Sequence, residues 1–341
     1  MKSKEEIKKF YHDTLKPELE NLDEKIDKVN RRYSFKKYGI FLVFLLAATI
    51  FLYLQLKHHH AYRGDKDLGV KMFALFFFVA LFFLIVLYVF RSIGYRPVKK
   101  AYMNLVVPKI VTFVNSSWNY FPEKGIRRED FDGTELFPVP NMSRNTRKFH
   151  SAGLITGKVN RVDFSAAYVH FYTVNESSSS KKDQRIHSIH KGLFAVIDVK
   201  TVFKSPLILK SKDHSIGEKI GQKITDFLGS DISKIFTGPT MNKVKTGNTD
   251  LDDLFDAQCM DNDCLVQLLN SGWPSFLIKI RLDYDMKFDS LFRDNKLYLA
   301  IDGLKYSDFG EWNSFVNESD SLALINQYNN FFGLLEEIDK M

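Results

Sequence analysis

The stretch KGLFAVIDVKTVF, residues 191–203, carries the clearest strand pattern in the chain. Alternate residues in an extended strand point to the same side, so every second side chain lines one face. In this stretch four apolar residues in succession lie on one face: Leu193, Ala195, Ile197 and Val199. The pattern predicts a strand with an apolar face, followed by a second short strand at residues 206–210.

Further strands are predicted on both sides of this stretch. Residues 152–159 and 164–174 are rich in β-branched and aromatic residues. In residues 288–302, two alternating runs are joined by Arg293-Asp294-Asn295, residue types suited to a tight turn, so a β-hairpin is predicted there. A C-terminal amphipathic helix, with Ser321 as its N-cap, completes a mixed α+β domain over residues 119–341.

Two runs near the N-terminus have a different character. Residues 38–56 and 72–90 are each 19 residues long and contain no charged side chain. A helix of that length crosses most of a hydrocarbon core of about 30 Å. We therefore predict two transmembrane helices, joined by a short external loop at residues 57–71.

The charges that flank these runs predict their orientation. Residues 18–37 and 91–110 together carry eleven Lys and Arg, whereas the loop carries four. Positive charge favours the cytoplasmic side, so both termini are expected in the cytoplasm. The flanking charges nearest the runs are Arg31, Arg32, Lys36, Lys37, Arg91, Arg96, Lys99 and Lys100.

A helix is predicted on the cytoplasmic side of each run, at residues 1–37 and 91–118. The first has apolar residues at alternating spacings of four and three, which is typical of a helix that packs against another helix: Leu15, Leu19, Leu22, Ile26 and Val29. The partner helix is either the one at residues 91–118 or the same helix of a second copy of the chain, which would make a homo-oligomer.

The charge distribution argues against nucleic-acid binding. The formal net charge is +7, but residues 91–341 hold 33 basic and 31 acidic side chains. A nucleic-acid footprint needs a concentrated basic patch with a recognisable motif, and no such motif is present. Anionic lipid headgroups account for the excess positive charge beside the two runs.

The sequence offers no motif for catalysis or cofactor binding. Phosphate-binding loops, dinucleotide fingerprints, HExxH and GxSxG are all absent, so no catalytic residue and no cofactor is predicted. Three consecutive histidines in the loop, His58, His59 and His60, are weak candidates for metal binding. Adjacent side chains of a helix point about 100° apart, so these three could share one ion only on an extended backbone.

Both cysteines of the chain, Cys259 and Cys264, bracket the acidic tetrapeptide MDND. Zinc needs four ligands, and the two cysteines supply only two of them. A calcium-binding loop starting at Asp261 would need a glycine at its sixth position and an acid at its twelfth, where the chain has Val266 and Gly272. The stretch instead predicts the end of a strand, a cap at Asp261 or Asn262, and the start of a helix. Leu254 and Phe255 are expected to belong to that strand.

Four segments together resemble a known family: residues 120–131, 191–203, 251–263 and 293–302. In this order, and after two spans, they are similar to a bacterial family of integral membrane proteins known only as domain of unknown function 3137. The stretch at residues 264–285 departs from the family pattern. The resemblance implies an inner-membrane protein with two spans and a cytoplasmic globular domain, and no assigned activity.

Because no motif for catalysis or cofactor binding is present, the hypotheses about function rest on the predicted architecture. The favoured hypothesis is a scaffold or protein-interaction module on the inner membrane, with another membrane or cytoplasmic protein as its partner. The alternatives are a membrane-anchored sensor of a small ligand and an enzyme whose site is formed by residues distant in sequence. For the sensor, the Ser-rich stretch at residues 175–185 would serve as a lid.

Overall fold

The computed structural model describes residues 1–28, 31, 100–137, 145–175, 186–212, 241–284, 286–302 and 318–341. The chain divides into two compact units. The first, called the sheet domain below, combines Met1–Tyr11 with Val107–Met341, and the second is His12–Val106. Each unit is described separately.

The sheet domain is built on seven strands that pair in antiparallel fashion. In chain order they are β1 (Asn119–Phe121), β2 (Asn145–Val159), β3 (Val162–Asn175), β4 (Ile186–Ser211), β5 (Asn242–Val244), β6 (Phe255–Cys259) and β7 (Phe288–Asp302). The order across the sheet is β1-β2-β3-β4-β6-β5, and β7 pairs with β4. The predicted α+β class is confirmed for this part of the chain.

Strand β4 is the centre of the sheet because it pairs with three other strands. Its first part lies between β3 and β7, with Ala195 opposite Ala166 and Leu299. Its last part lies between β6 and β7, with Leu207 opposite Cys259 and Phe292. The alternation predicted for residues 191–203 is present, and its apolar residues are buried.

The hairpin predicted at residues 288–302 is wrong. These residues form the single strand β7, and both of its runs pair with β4 rather than with each other. Asp294, at the expected turn, has φ of 55° and lies opposite Phe203, where the register shifts. A short polar side chain tolerates this left-handed backbone, so the residues that suggested a reversal instead accommodate an irregularity.

The α-helices of the sheet domain include α1 (Lys4–Phe10), α2 (Arg128–Asp132), α3 (Thr249–Leu254), α4 (Asp263–Leu269), α5 (Trp273–Asp283) and α6 (Glu318–Asp339). A π-helix, Tyr11–Leu15, follows α1. The helix α6 begins three residues before Ser321, whose side chain is buried inside it. The predicted cap at Ser321 is therefore wrong, because the helix extends further towards the N-terminus.

Apolar side chains cover both faces of the sheet. On one face, Phe131 of α2 packs against Phe171 and Phe194, with ring centroids 5.3 and 5.0 Å away. On the other face, Phe331 of α6 lies 5.5 Å from Phe164 of β3. Burial of large aromatic side chains from both layers provides most of the driving force for this assembly.

The N-terminal residues are held on α6 by a polar clamp. The Asn329 side chain accepts a hydrogen bond from the backbone N–H of Lys2 at 2.8 Å and donates one to its carbonyl at 3.0 Å. Asn329 is buried, so both of its amide groups are paired where water is excluded. α1 itself begins with a capping box formed by Ser3 and Glu6.

In the second unit, residues 16–28 are helical, and so are residues 100–106. The predicted stripe on the first of these helices is buried within the single chain: Leu15, Leu19, Leu22 and Ile26. Val29 and the two predicted spans, residues 38–56 and 72–90, lie outside the described residues. No helix in the described part is both long enough and apolar enough to cross a membrane.

Candidate functional site

Most of the site residues expected from the sequence cannot be placed. His58, His59 and His60 lie outside the described residues, as do all the membrane-flanking charges except Arg31 and Lys100, which are exposed. Across the described ranges, no three His, Cys, Asp or Glu side chains are grouped in a way that could hold a metal ion. The chemically distinctive features of the sheet domain are the region of α4 and the end of β7.

The turn from β6 into α4 is organised by Asp261. Its Oδ1 accepts hydrogen bonds from the backbone N–H groups of Asp263, at 3.1 Å, and Cys264, at 3.3 Å. Asn262 makes no such bond, so Asp261 is the residue that caps the helix. The predicted succession of strand, cap and helix is confirmed, except that Leu254 ends α3 and the strand begins at Phe255.

The two cysteines are free thiols, and both are buried. The Cys264 thiol donates a hydrogen bond to the carbonyl of Asp261 at 3.0 Å. Burial, together with contact with Cys259, raises the pKa of Cys264 to about 12. Because the thiolate is the nucleophile and the metal ligand, this thiol is suited to packing rather than to chemistry.

Two side-chain contacts fix α4 on the irregular part of β4. The Gln267 amide donates to the carbonyl of Val202, and the Ser205 hydroxyl donates to Asp261. The hydrogen bond from Ser205, reinforced by the two backbone N–H groups, lowers the pKa of Asp261 despite some burial. The helix is thereby held rigidly against the outer part of the sheet.

Apolar side chains gather around this rigid helix. Among the described residues, four of the seven exposed large hydrophobic side chains lie here; they are called the α4 surface: Val202, Met260, Val266 and Leu269. Val266 and Leu269 are three residues apart, so they share one side of the helix. They are 54% and 37% exposed. Exposed apolar side chains on a rigid element are typical of a surface that another protein covers.

A second arrangement lies where β4 and β7 meet near the beginning of β4. The Nδ1 atom of His190 is 3.0 Å from Oδ1 of Asp302. The imidazole is buried and stacks on Phe137, with ring centroids 5.0 Å apart, whereas 38% of the Asp302 side chain is exposed. Gly192 lies opposite Asp302 in the ladder, and a Cβ there would come within 2.0 Å of the Ile301 carbonyl. Only glycine permits this close approach of the two strands.

The carboxylate decides which nitrogen of His190 carries the proton. A carboxylate can only accept, so Nδ1 donates and the neutral ring has its lone pair at Nε2. Nε2 is buried and has no hydrogen-bond partner among the described residues. An imidazole oriented in this way can accept a proton or ligate a metal through Nε2. Nothing else in the described residues completes such a site.

Residues 188–340 match the model of a family described as protein of unknown function (DUF3137). The similarity to that family is limited to these residues, which make up less than half of the chain. The DUF3137 match covers β4 to α6 and includes three of the four segments that carried the resemblance; residues 120–131 precede it. No significant match was found among curated proteins or among solved structures.

Three of the four segments belong to β4 or to a strand that pairs with it. Residues 191–203 and 293–302 pair as β4 and β7, and residues 251–263 supply β6 and the cap of α4. The sequence patterns missed the His190–Asp302 pair because 112 residues separate the two. The histidine was visible in RIHSIH, but only the β4–β7 pairing identifies its acidic partner.

Proposed function

We propose that this chain is an integral protein of a bacterial inner membrane that presents the sheet domain in the cytoplasm as a protein-interaction module. Two helices at residues 38–56 and 72–90 would form the anchor. The proposal of anchorage rests on two uncharged 19-residue runs and on the flanking positive charges. The bacterial location and the cytoplasmic domain rest on the resemblance to the family.

The observation that supports an interaction role is the α4 surface. Val266 is more than half exposed on a helix that is capped by Asp261 and fixed to β4 through Gln267. The apolar side chains therefore stay presented to solvent on a rigid support. Burial of such side chains against a partner is favourable by about 25 cal/mol per Å² of apolar area.

Oligomerisation through the N-terminal stripe is less favoured than pairing within the chain. The stripe residues are already buried in a single chain, Leu15 completely and Ile26 to 94%. A second copy could reach them only if this packing opened. We therefore propose that the partner binds through the sheet domain rather than through residues 15–29.

Site-specific photo-crosslinking in cells tests the interaction role. A photoreactive amino acid at Val266 should capture one defined partner, whereas the same amino acid at Lys158, which is exposed on β2, should not. Leu269→Asp should abolish the captured band while the chain still accumulates in membranes. If the crosslinked bands obtained from Val266 and from Lys158 were the same, the interaction role would be refuted.

A reporter fused to the C-terminus tests the anchor independently. We expect activity from a reporter that works only in the cytoplasm, and we expect alkaline carbonate not to extract the chain from the membrane. Extraction of the intact chain would contradict membrane anchorage, and an externally active reporter would contradict the orientation.

The His190–Asp302 pair favours a second candidate, a sensor of a small ligand or an enzyme with a site that lacks a sequence motif. Its support is the buried Nε2 of an oriented imidazole. His190→Gln retains hydrogen-bonding groups but removes the titratable ring. Loss of cellular function in this variant, at normal chain abundance and with the Val266 crosslink intact, would favour this candidate over the interaction module.

A further inference from the structure

One end of the sheet face that α6 covers carries, across three neighbouring strands, a block of side chains that donate hydrogen bonds. The pairing registers place six residues in two rows across β2, β3 and β4. One row is Lys148, Tyr172 and Ser188, and the other is His150, His170 and Lys191. We call these six residues the basic platform.

The register establishes that the six side chains share a face. Residues directly opposite each other in an antiparallel ladder point to the same side of the sheet. Between the rows, the β3–β4 register shifts by one residue, which keeps Ser188 and Lys191 on that side. Strands lie about 4.8 Å apart and alternate residues about 7 Å apart, so the platform measures roughly 10 by 7 Å.

The platform is open to solvent. Lys148, His150 and Ser188 are exposed, and the other three residues are partly exposed. The rings of His170 and Tyr172 lie 4.6 Å apart, so the centre of the platform is braced by an aromatic contact. The opposite face of the same strands is the packed core around Phe171. The platform therefore lies on a packed part of the sheet.

The strand segments that form the platform carry basic but no acidic side chains. The strand segments 145–152, 168–175 and 186–193 contain no Asp or Glu, but they contain three Lys or Arg and four of the nine histidines of the chain. Lysine, histidine, tyrosine and serine side chains all donate hydrogen bonds. The platform thus offers donors and positive charge to a ligand that carries several acceptor oxygens, which is the chemistry of phosphate groups.

We propose that the basic platform binds the phosphate groups of anionic lipids at the membrane surface. An open sheet face suits an array of headgroups, whereas a small phosphate-bearing ligand is usually held in a concave site. Basic clusters close to a membrane anchor are attracted to an anionic membrane surface. The inference rests on the proposed anchorage, which keeps a bilayer within reach of the domain.

The test uses the full chain in lipid nanodiscs, with a spin label on Ala152→Cys, which lies beside the platform on the same face of β2. A lipid with a gadolinium chelate as its headgroup reports how close the label comes to the headgroups. Discs that contain phosphatidylglycerol should give stronger relaxation of the label than discs of phosphatidylcholine alone. Adding Lys148→Glu and Lys191→Glu should reduce the signal to the phosphatidylcholine level.

A matched control changes the same net charge elsewhere. Lys204→Glu with Lys245→Glu alters two exposed lysines outside the platform and should leave the relaxation unchanged. Equal relaxation in both lipid compositions would overturn the inference, and so would equal loss in the control. A response to dissolved inorganic phosphate but not to phosphatidylglycerol would identify a soluble phosphate source and overturn the lipid assignment.

Failure of the anchorage can be separated from failure of the platform. If alkaline carbonate extracts the chain, the proposed function is wrong, and sedimentation of the extracted chain with phosphatidylglycerol vesicles still tests the platform. If the chain resists extraction and the label does not respond to anionic lipid, only the platform inference is wrong.

Discussion

Nδ1 of His190 lies 3.0 Å from Oδ1 of Asp302, although 112 residues separate them in the chain. The contact forms because β4 and β7 run side by side, with Gly192 opposite Asp302. An imidazole that would otherwise be costly to bury thereby has a charged partner at one nitrogen. The pair links the two strands at the point where Asp302 reaches solvent.

Removing the carboxylate should weaken the sheet at this point. In Asp302→Ala, the buried N–H of His190 loses its acceptor, which lowers the free energy of unfolding by about 1–3 kcal/mol. The lower part of this range is expected because Asp302 is partly exposed. Asp302→Asn keeps an acceptor oxygen and should cost less. Denaturant unfolding of the purified full chain measures both. An alanine variant as stable as the asparagine variant would show that the contact contributes nothing.

Gly192→Ala should be strongly destabilising. The added Cβ would lie 2.0 Å from the carbonyl oxygen of Ile301, so β4 and β7 must separate. Overpacking of this kind costs about 1–3 kcal/mol or more. Gly272→Ala is the matched control, because its nearest neighbour would be the end of the Met341 side chain at 3.5 Å. Thermal unfolding midpoints of the two variants should differ clearly; equal midpoints would contradict the close approach.

Asp252 should make the sheet domain sensitive to acid. Burial raises the pKa of Asp252, but hydrogen bonds from Thr246 and the backbone N–H of Gly247 outweigh it, so the pKa is lowered overall. A lowered pKa in the folded state means that the stabilisation is present above the ordinary value near 4 and is lost as pH falls through the folded value.

The difference in stability between wild type and Asp252→Ala should therefore be constant near neutral pH and shrink below about pH 4. Asp250→Ala, which changes a neighbouring exposed carboxylate, serves as the control. Unfolding measured at a series of pH values checks this. A difference that grows on acidification would mean that the sign of the pKa shift is wrong.

Cys264 should be unreactive in the folded chain. With a pKa raised to about 12 and a buried sulfur, its thiolate is scarce at pH 8 and shielded from reagents. A chromogenic disulfide reagent should modify Cys264 only after denaturant is added. Cys259→Ser isolates this thiol, and an exposed cysteine at Ser188 supplies the fast-reacting control. Rapid labelling of Cys264 in the native chain would refute the packing role.

The alternation in residues 191–203 was sufficient to predict a strand, because its period reflects which side chains are buried. The partners of that strand were not predictable from alternation. At residues 293–295, polar residues suited to a turn occupy an irregularity of β7, since a backbone with positive φ serves either purpose. Only the pairing of both runs with β4 shows that residues 288–302 form one irregular strand and not a hairpin.

The candidate sites likewise differ in whether local sequence patterns could predict them. The cap follows from local chemistry, so the sequence narrowed it to Asp261 or Asn262, and the hydrogen bonds identify Asp261. The His190–Asp302 pair and the basic platform depend on which strands are neighbours, and single-chain periodicity carries no such information. Ser321 was mistaken for a cap because serine favours helix starts, whereas here it is buried within α6.

The central position of β4 has a consequence for synthesis of the protein. Its partner β7 ends at Asp302, so one edge of β4 stays open until most of the chain has left the ribosome. Contacts that join distant parts of a chain form slowly, and an open apolar strand edge invites pairing with other chains. Ribosome-bound intermediates that end before residue 288 should be the most aggregation-prone stage in the life of this protein.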